Sequence, residues 1–154
     1  MKIDLIWVGK TTDSYTLSAV DEYAKRLSKY ARFEIREIRN IKKKVSANEL
    51  KLLEAAEILK FTEAYEKVIL LDEGGKQFSS TQFASKIENL QINGIKSLCF
   101  VIGGAYGYSE ELRSKYELFS LSKMTFSHQL IRVIFLEQLY RAFTIIKNEP
   151  YHHS

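Results

Sequence analysis

The stretch that decides the fold is SLCFVIGGAYGYSEE, residues 97–111. Five residues of apolar, β-rich character run without a polar break from Leu98 into two consecutive glycines. A continuous apolar run bounded by a glycine turn reads as a strand buried on both faces, whereas a half-solvated strand would alternate. The glycines then give way to SEELRSKY (109–116), which reads as a short helix. A doubly buried strand followed by a short helix is half of a βαβ unit.

The same alternation extends in both directions. KIDLIWV (2–8), RFEIREI (32–38), KVILLD (67–72) and LFSLS (118–122) read as further strands. DSYTLSAVDEYAKRLSKY (13–30), ANELKLLEAAEILKFTEAY (47–65), SSTQFASKIENLQ (79–91) and a last run from about Ser127 to Lys147 read as helices. In the third of these, Ser79 or Ser80 supplies the cap. The expected architecture is α/β, a mostly parallel sheet with helices on both faces, in one domain over residues 1–154. Ligands of such sheets sit beyond the C-terminal strand ends. Three loops qualify: EGGKQFSS, where Gly74 and Gly75 predict a tight turn, GGAYGYSEE, and SKMTFSHQ.

Composition excludes several classes of function. The chain has 154 residues, 45% apolar and 27% charged, with seven glycines and one proline, which is globular rather than disordered or fibrous. No apolar run approaches the roughly 20 residues of a membrane span, and Asp4 interrupts the first one, so no signal-peptide core is expected. The single cysteine, Cys99, lies among apolar residues and reads as a core thiol in a reducing, cytoplasmic setting. Three histidines without metal-ligand spacing make a zinc site unexpected. GGAYG is not a dinucleotide fingerprint, and GGKQ lacks the hydroxyl of a phosphate-binding loop. The net charge of +4 is compatible with an anionic partner. REIRNIKKK (36–44) concentrates Arg36, Arg39, Lys42, Lys43 and Lys44, either a solvated loop or a grip on phosphates.

The last helix is apolar in nearly every direction, with Leu130, Ile131, Val133, Ile134, Phe135, Leu136, Leu139, Phe143, Ile145 and Ile146. Such a helix needs cover all round, for which a partner subunit is the simplest source. His128 and Arg132 fall on one side of its wheel, Glu137, Arg141 and Thr144 on the other. Glu137 and Arg141 form an i,i+4 pair, structural or functional. Pro150 is expected to stop the helix and turn the tail outward; His152 and His153 taken alone read as either a solvated tail or a site.

LLDEGGKQFSS, FVIGGAYGYS and above all SLSKMTFSHQLIRVIFLEQLYRAFTIIKNEPYHHS resemble the RlmH family, the ribosomal large-subunit pseudouridine methyltransferases of the SPOUT class. The likeness runs the length of the chain from KIDLIWVGK onward. It implies a C-terminal trefoil knot that forms an S-adenosylmethionine pocket, a homodimer, and methylation of N3 of pseudouridine 1915 in helix 69 of 23S rRNA within the assembled 70S ribosome. Matching motif positions carries the cofactor site onto Leu71, Gly103, Ser122, Lys123, Met124, Thr125, Phe126 and Ser127. For the chemistry it points to Arg141 at a uracil carbonyl or a phosphate, His128 or His152 for the proton, and Tyr151 stacked on a base, with Arg132 and His153 nearby. No metal is needed, because the sulfonium already activates the methyl carbon. Ser127 departs from the family's TxPH segment, which has proline before the histidine. The alternative is a non-catalytic ribosome or RNA binder that keeps the same fold.

Overall fold

The computed structural model describes residues 1–153. Five strands and five helices alternate along the chain: β1 (Lys2–Val8), α1 (Ser14–Leu27), β2 (Arg32–Ile38), α2 (Ala47–Thr62), β3 (Lys67–Gln77), α3 (Ser80–Ile92), β4 (Ser97–Ile102), α4 (Glu110–Lys115), β5 (Glu117–Ser120) and α5 (His128–Ile146). The strands form one sheet in the order β2-β1-β4-β3-β5, and every pairing is parallel.

The distribution of helices follows from crossover handedness. The connections β1 to β2 and β3 to β4 step one way along the sheet, whereas β2 to β3 and β4 to β5 step the other way. With one hand allowed for parallel crossovers, opposite steps must use opposite faces. Accordingly, α1 and α3 cover one face and α2 and α4 the other, with α5 joining the first. Strand pleating distributes the side chains to match. Ile3, Leu5 and Trp7 of β1 enter the core under α1, α3 and α5, while Ile6 and Val8 enter the core under α2 and α4. Phe100 at the sheet centre is fully buried, its ring 4.8 Å from that of Phe135. Its truncation to alanine removes about 3–5 kcal/mol.

Serine sets the start of four helices. Side chains of Ser46, Ser79, Ser109 and Ser127 accept the N–H three residues on in α2, α3, α4 and α5, and Ser79 with Gln82 completes a capping box. Two polar groups are tied into the interior. Asp4, fully buried, accepts from Arg36 Nε at 3.0 Å and from the Tyr65 hydroxyl, with Lys2 Nζ at 3.3 Å. Cys99 is buried beside it, and burial pushes its thiol well above the ordinary range.

Two expectations are corrected. Residues 72–77 continue β3 instead of forming a tight turn, and the register against β5 jumps between Leu71 and Lys76, both of which pair with Phe119. Gly75 permits this, because a Cβ there would lie 2.6 Å from the backbone of Leu118 and Phe119. Helices α1 and α3 flank α5 over the sheet, while Leu130 is 46% exposed and Ile131, Val133, Ile134, Ile145 and Ile146 are half-buried. The tail after α5 turns back rather than outward. Asn148 adopts φ 56, its N–H bonds Ile145 O and that of Glu149 bonds Thr144 O, a left-handed cap that returns Tyr151 to the helix surface. The basic run also divides: Arg36 lies in β2, bonded to Asp4 and Glu34, while Arg39, Lys42, Lys43 and Lys44 are exposed in the irregular connection to α2.

Candidate active site

Strands β4 and β5 end beside the point where β3 becomes irregular after Leu71, and there lies a cleft of about 760 Å³. That is the size range of a small-molecule site. Leu71, Ile102 and Phe119 form its floor; Leu121, Met124, Phe126 and Ile131 add apolar wall. Polar groups reach it from Asp72, Glu73, Glu110, Arg113, Thr125 and, from α2, Lys51.

Hydrogen bonds shape each of the three loops. The Tyr108 hydroxyl donates to Val101 O at 2.8 Å and accepts the Gly103 N–H at 2.9 Å, pinning the turn that leaves β4. A Cβ on Gly103 would meet that ring at 2.7 Å, so the approach requires glycine. Burial raises the Tyr108 phenol well beyond its ordinary range, so it is a neutral donor. In the β3 loop, Arg113 Nη1 donates to Asp72 Oδ2 at 2.5 Å and the Gly74 N–H to Asp72 Oδ1 at 2.8 Å. The Thr125 hydroxyl donates to Glu73 Oε1 at 2.7 Å, tying the β3 loop to the segment before α5.

That segment, residues 121–127, closes the cleft. Ser120 donates to Ser122 O at 2.9 Å, and the Met124 N–H bonds Ser122 Oγ at 3.0 Å. Ser122, Met124, Thr125, Phe126, Ser127 and His128 line the cleft together with Leu71 and Gly103; Lys123 is exposed and outside the lining. Ser127 has φ −63 and ψ 154 and caps α5 through its hydroxyl, so its backbone already holds the angle that proline would impose.

Arg141, Tyr151 and His152 come together elsewhere, on the last turns of α5. Glu137 Oε1 accepts from Arg141 Nη2 at 2.6 Å and Nε at 3.1 Å and from the Tyr151 hydroxyl at 3.0 Å. The guanidinium lies 4.7 Å from the Tyr151 ring centroid, and its Nη1 is 3.2 Å from His152 Nδ1. Because arginine can only donate, Nδ1 must accept, which puts the imidazole proton on Nε2. Burial first, then hydrogen bonding to Tyr23 and Glu137, raises the Tyr151 phenol and keeps it neutral. From His128 to Arg141 the helix rises about 20 Å at about 1.5 Å per residue, so one chain does not bring this cluster to its own cleft. Arg132 is buried, donating to Val8 O at 2.9 Å and Thr11 Oγ1 at 2.8 Å with its guanidinium 4.6 Å from the Trp7 ring centroid; it ties α5 to the end of β1. His153 is exposed.

Sequence reasoning missed Asp72, Arg113 and Lys51. The first closes the strand KVILLD, one residue before a loop already singled out, but nothing local marks the arginine or lysine, which reach the cleft from helices distant in sequence.

A wholly parallel α/β sheet with a shaped cleft beyond its strand ends is the arrangement in which domains of this class take small ligands. Over residues 1–152 the chain matches the family described as Predicted SPOUT methyltransferase. It is 49% identical to ribosomal RNA large subunit methyltransferase H of Parabacteroides distasonis and 47% identical to that of Flavobacterium psychrophilum, each alignment covering 100% of both chains. To the protein of that name from Geobacter sulfurreducens it is 44% identical, with 99% of this chain and 100% of the other covered. The chain belongs to the ribosomal RNA large subunit methyltransferase H (RlmH) family of SPOUT methyltransferases.

Proposed function

We propose that this chain methylates N3 of pseudouridine 1915 in helix 69 of 23S rRNA on the assembled 70S ribosome. It uses S-adenosylmethionine and acts in the cytoplasm as a homodimer whose last third is knotted. The observation that carries the reading is the meeting of three separate loops, through Leu71, Gly103 and residues 122–127, around one cleft in a chain of this family.

The residues present suit the cofactor. Backbone groups of 121–126 can bond an adenine edge against Leu71, Phe119 and Leu121, and Gly103 allows close passage of the ligand. When bound, S-adenosylmethionine supplies a methyl carbon activated by the adjacent sulfonium. The protein's share is to place N3 in line with that carbon and to receive the imide proton. His128, at the cleft where α5 begins, is the nearer group for the proton, and His152 the alternative. Arg141, clamped by Glu137, offers fixed positive charge to a uracil carbonyl as negative charge spreads over the ring. Tyr151 offers an aromatic face to an unstacked base. Since Arg141, Tyr151 and His152 lie far from the cleft of their own chain, the working site joins one copy's cleft to the other copy's tail.

The test is methyl transfer from labelled cofactor to 70S ribosomes lacking this modification, beside free 23S rRNA. Label on N3 of the one pseudouridine, in 70S and not in free RNA, is the expected result. A chain that binds ribosomes but neither S-adenosylmethionine nor S-adenosylhomocysteine in calorimetry would be a binder without this chemistry.

A further inference from the structure

Glu54 on α2 is a buried carboxylate that nothing above employs. It is 7% exposed, and no lysine, arginine or histidine among the described residues forms a salt bridge with it. A buried carboxylate without a cation is costly unless N–H groups solvate it. Facing it is the backbone of Gly104, in the turn where β4 opens into the cleft. A Cβ on Gly104 would fall 2.6 Å from Oε1 and 2.7 Å from Oε2 of Glu54, so the loop backbone rests directly on the carboxylate. On its other side the same turn is held by Tyr108 through the Gly103 N–H.

We propose that Glu54 is a positioning residue for the cofactor: its ionised carboxylate clamps the Gly103–Gly104 turn in the shape that receives S-adenosylmethionine. The inference rests on the cofactor reading above. It makes α2 a structural member of the site, although α2 offers the cleft wall only Lys51.

The clamp has a pH signature. Burial pushes the Glu54 carboxyl above its ordinary value, and the Gly104 N–H, which favours the ionised form, pulls it part of the way back. Other titratable groups around it are already engaged. Tyr108, after β4, is a neutral phenol; Asp72 of β3 is bonded to Arg113; the Cys99 thiol of β4 is raised by burial. On α2 itself, Lys51 lies one turn before and Glu57 one turn after, the latter bonded to Lys60. If the ionised form holds the turn, affinity is complete above the raised pKa and falls as pH drops through it.

Two measurements test this. The Gly104 amide resonance of the wild-type chain should titrate with one raised carboxylate pKa, and a flat profile would overturn the contact without any variant being made. Calorimetric binding of S-adenosylhomocysteine between pH 5.5 and 8.5 should weaken toward acid in the wild type. In Glu54→Gln, of unchanged melting temperature, the affinity at pH 8 should fall about tenfold, the loss of one charge-assisted bond, and the acid limb should vanish. Glu54→Asp, one methylene short, should bind as weakly while keeping its charge. A Glu54→Gln chain with wild-type affinity and pH profile overturns the clamp alone, whereas a wild type that binds no cofactor at any pH removes the cofactor reading with it.

Discussion

Two residues show how backbone conformation carries the site. Gly75 sits where β3 resumes pairing after its register jump, and a side chain there has only the peptide of Leu118 and Phe119 to push against. Backbone cannot rotate away as a side-chain tip can. Gly75→Ala should therefore cost about 3 kcal/mol or more, measured by urea unfolding, and should weaken cofactor binding by displacing β5. Asn148 holds φ 56 and closes α5. Asn148→Ala should lose about 1 kcal/mol and reduce methyl transfer by loosening Tyr151 and His152, while Asn148→Gly should restore both. Equal activity of the two variants would mean that the return of the tail has no part in turnover.

At the scale of elements, the basic connection before α2 can be tested apart from the cleft. Arg39, Lys42, Lys43 and Lys44 are exposed, and Arg36 is already committed to Asp4 and Glu34. Replacing Lys42, Lys43 and Lys44 with alanine should weaken ribosome binding and flatten its dependence on salt by about one logarithmic unit of slope for each phosphate no longer neutralised. Binding of S-adenosylhomocysteine should not change. An unaltered salt slope would return the segment to a solvated loop. Element boundaries were legible within a few residues wherever a serine cap, a glycine or a proline punctuates the chain, as at Ser79 and Ser127. They were misread at Gly74 and Gly75, because a glycine pair signals a turn and an irregular strand equally.

For the whole molecule, the decisive quantity is the distance between the cleft and the Arg141 cluster. If two copies share each site, Arg141→Ala chains mixed with chains carrying a blocked cleft, such as Gly103→Val, should recover activity. Random pairing predicts about one quarter of the wild-type rate, read as label transferred to 70S ribosomes. The absence of recovery would confine each site to one chain.

Strand character and helix order were readable from local pattern: SLCFVI could only be a strand buried on both faces, and the helices between such strands required parallel crossovers. Strand-end position likewise marked the loops EGGKQFSS, GGAYGYSEE and SKMTFSHQ, and the family resemblance then carried the expected cofactor site onto Leu71, Gly103 and residues 122–127. The tertiary structure alone decided which remote groups meet there. Arg113 on Asp72, Glu54 under Gly104 and Arg132 beneath Trp7 join residues 41 to 125 positions apart. Their encounters follow from strand order and crossover hand, which no local periodicity encodes. The tail was settled in the same way: proline predicted a stop, but the left-handed Asn148 and the Glu137–Arg141 pair to which Tyr151 bonds determined its direction.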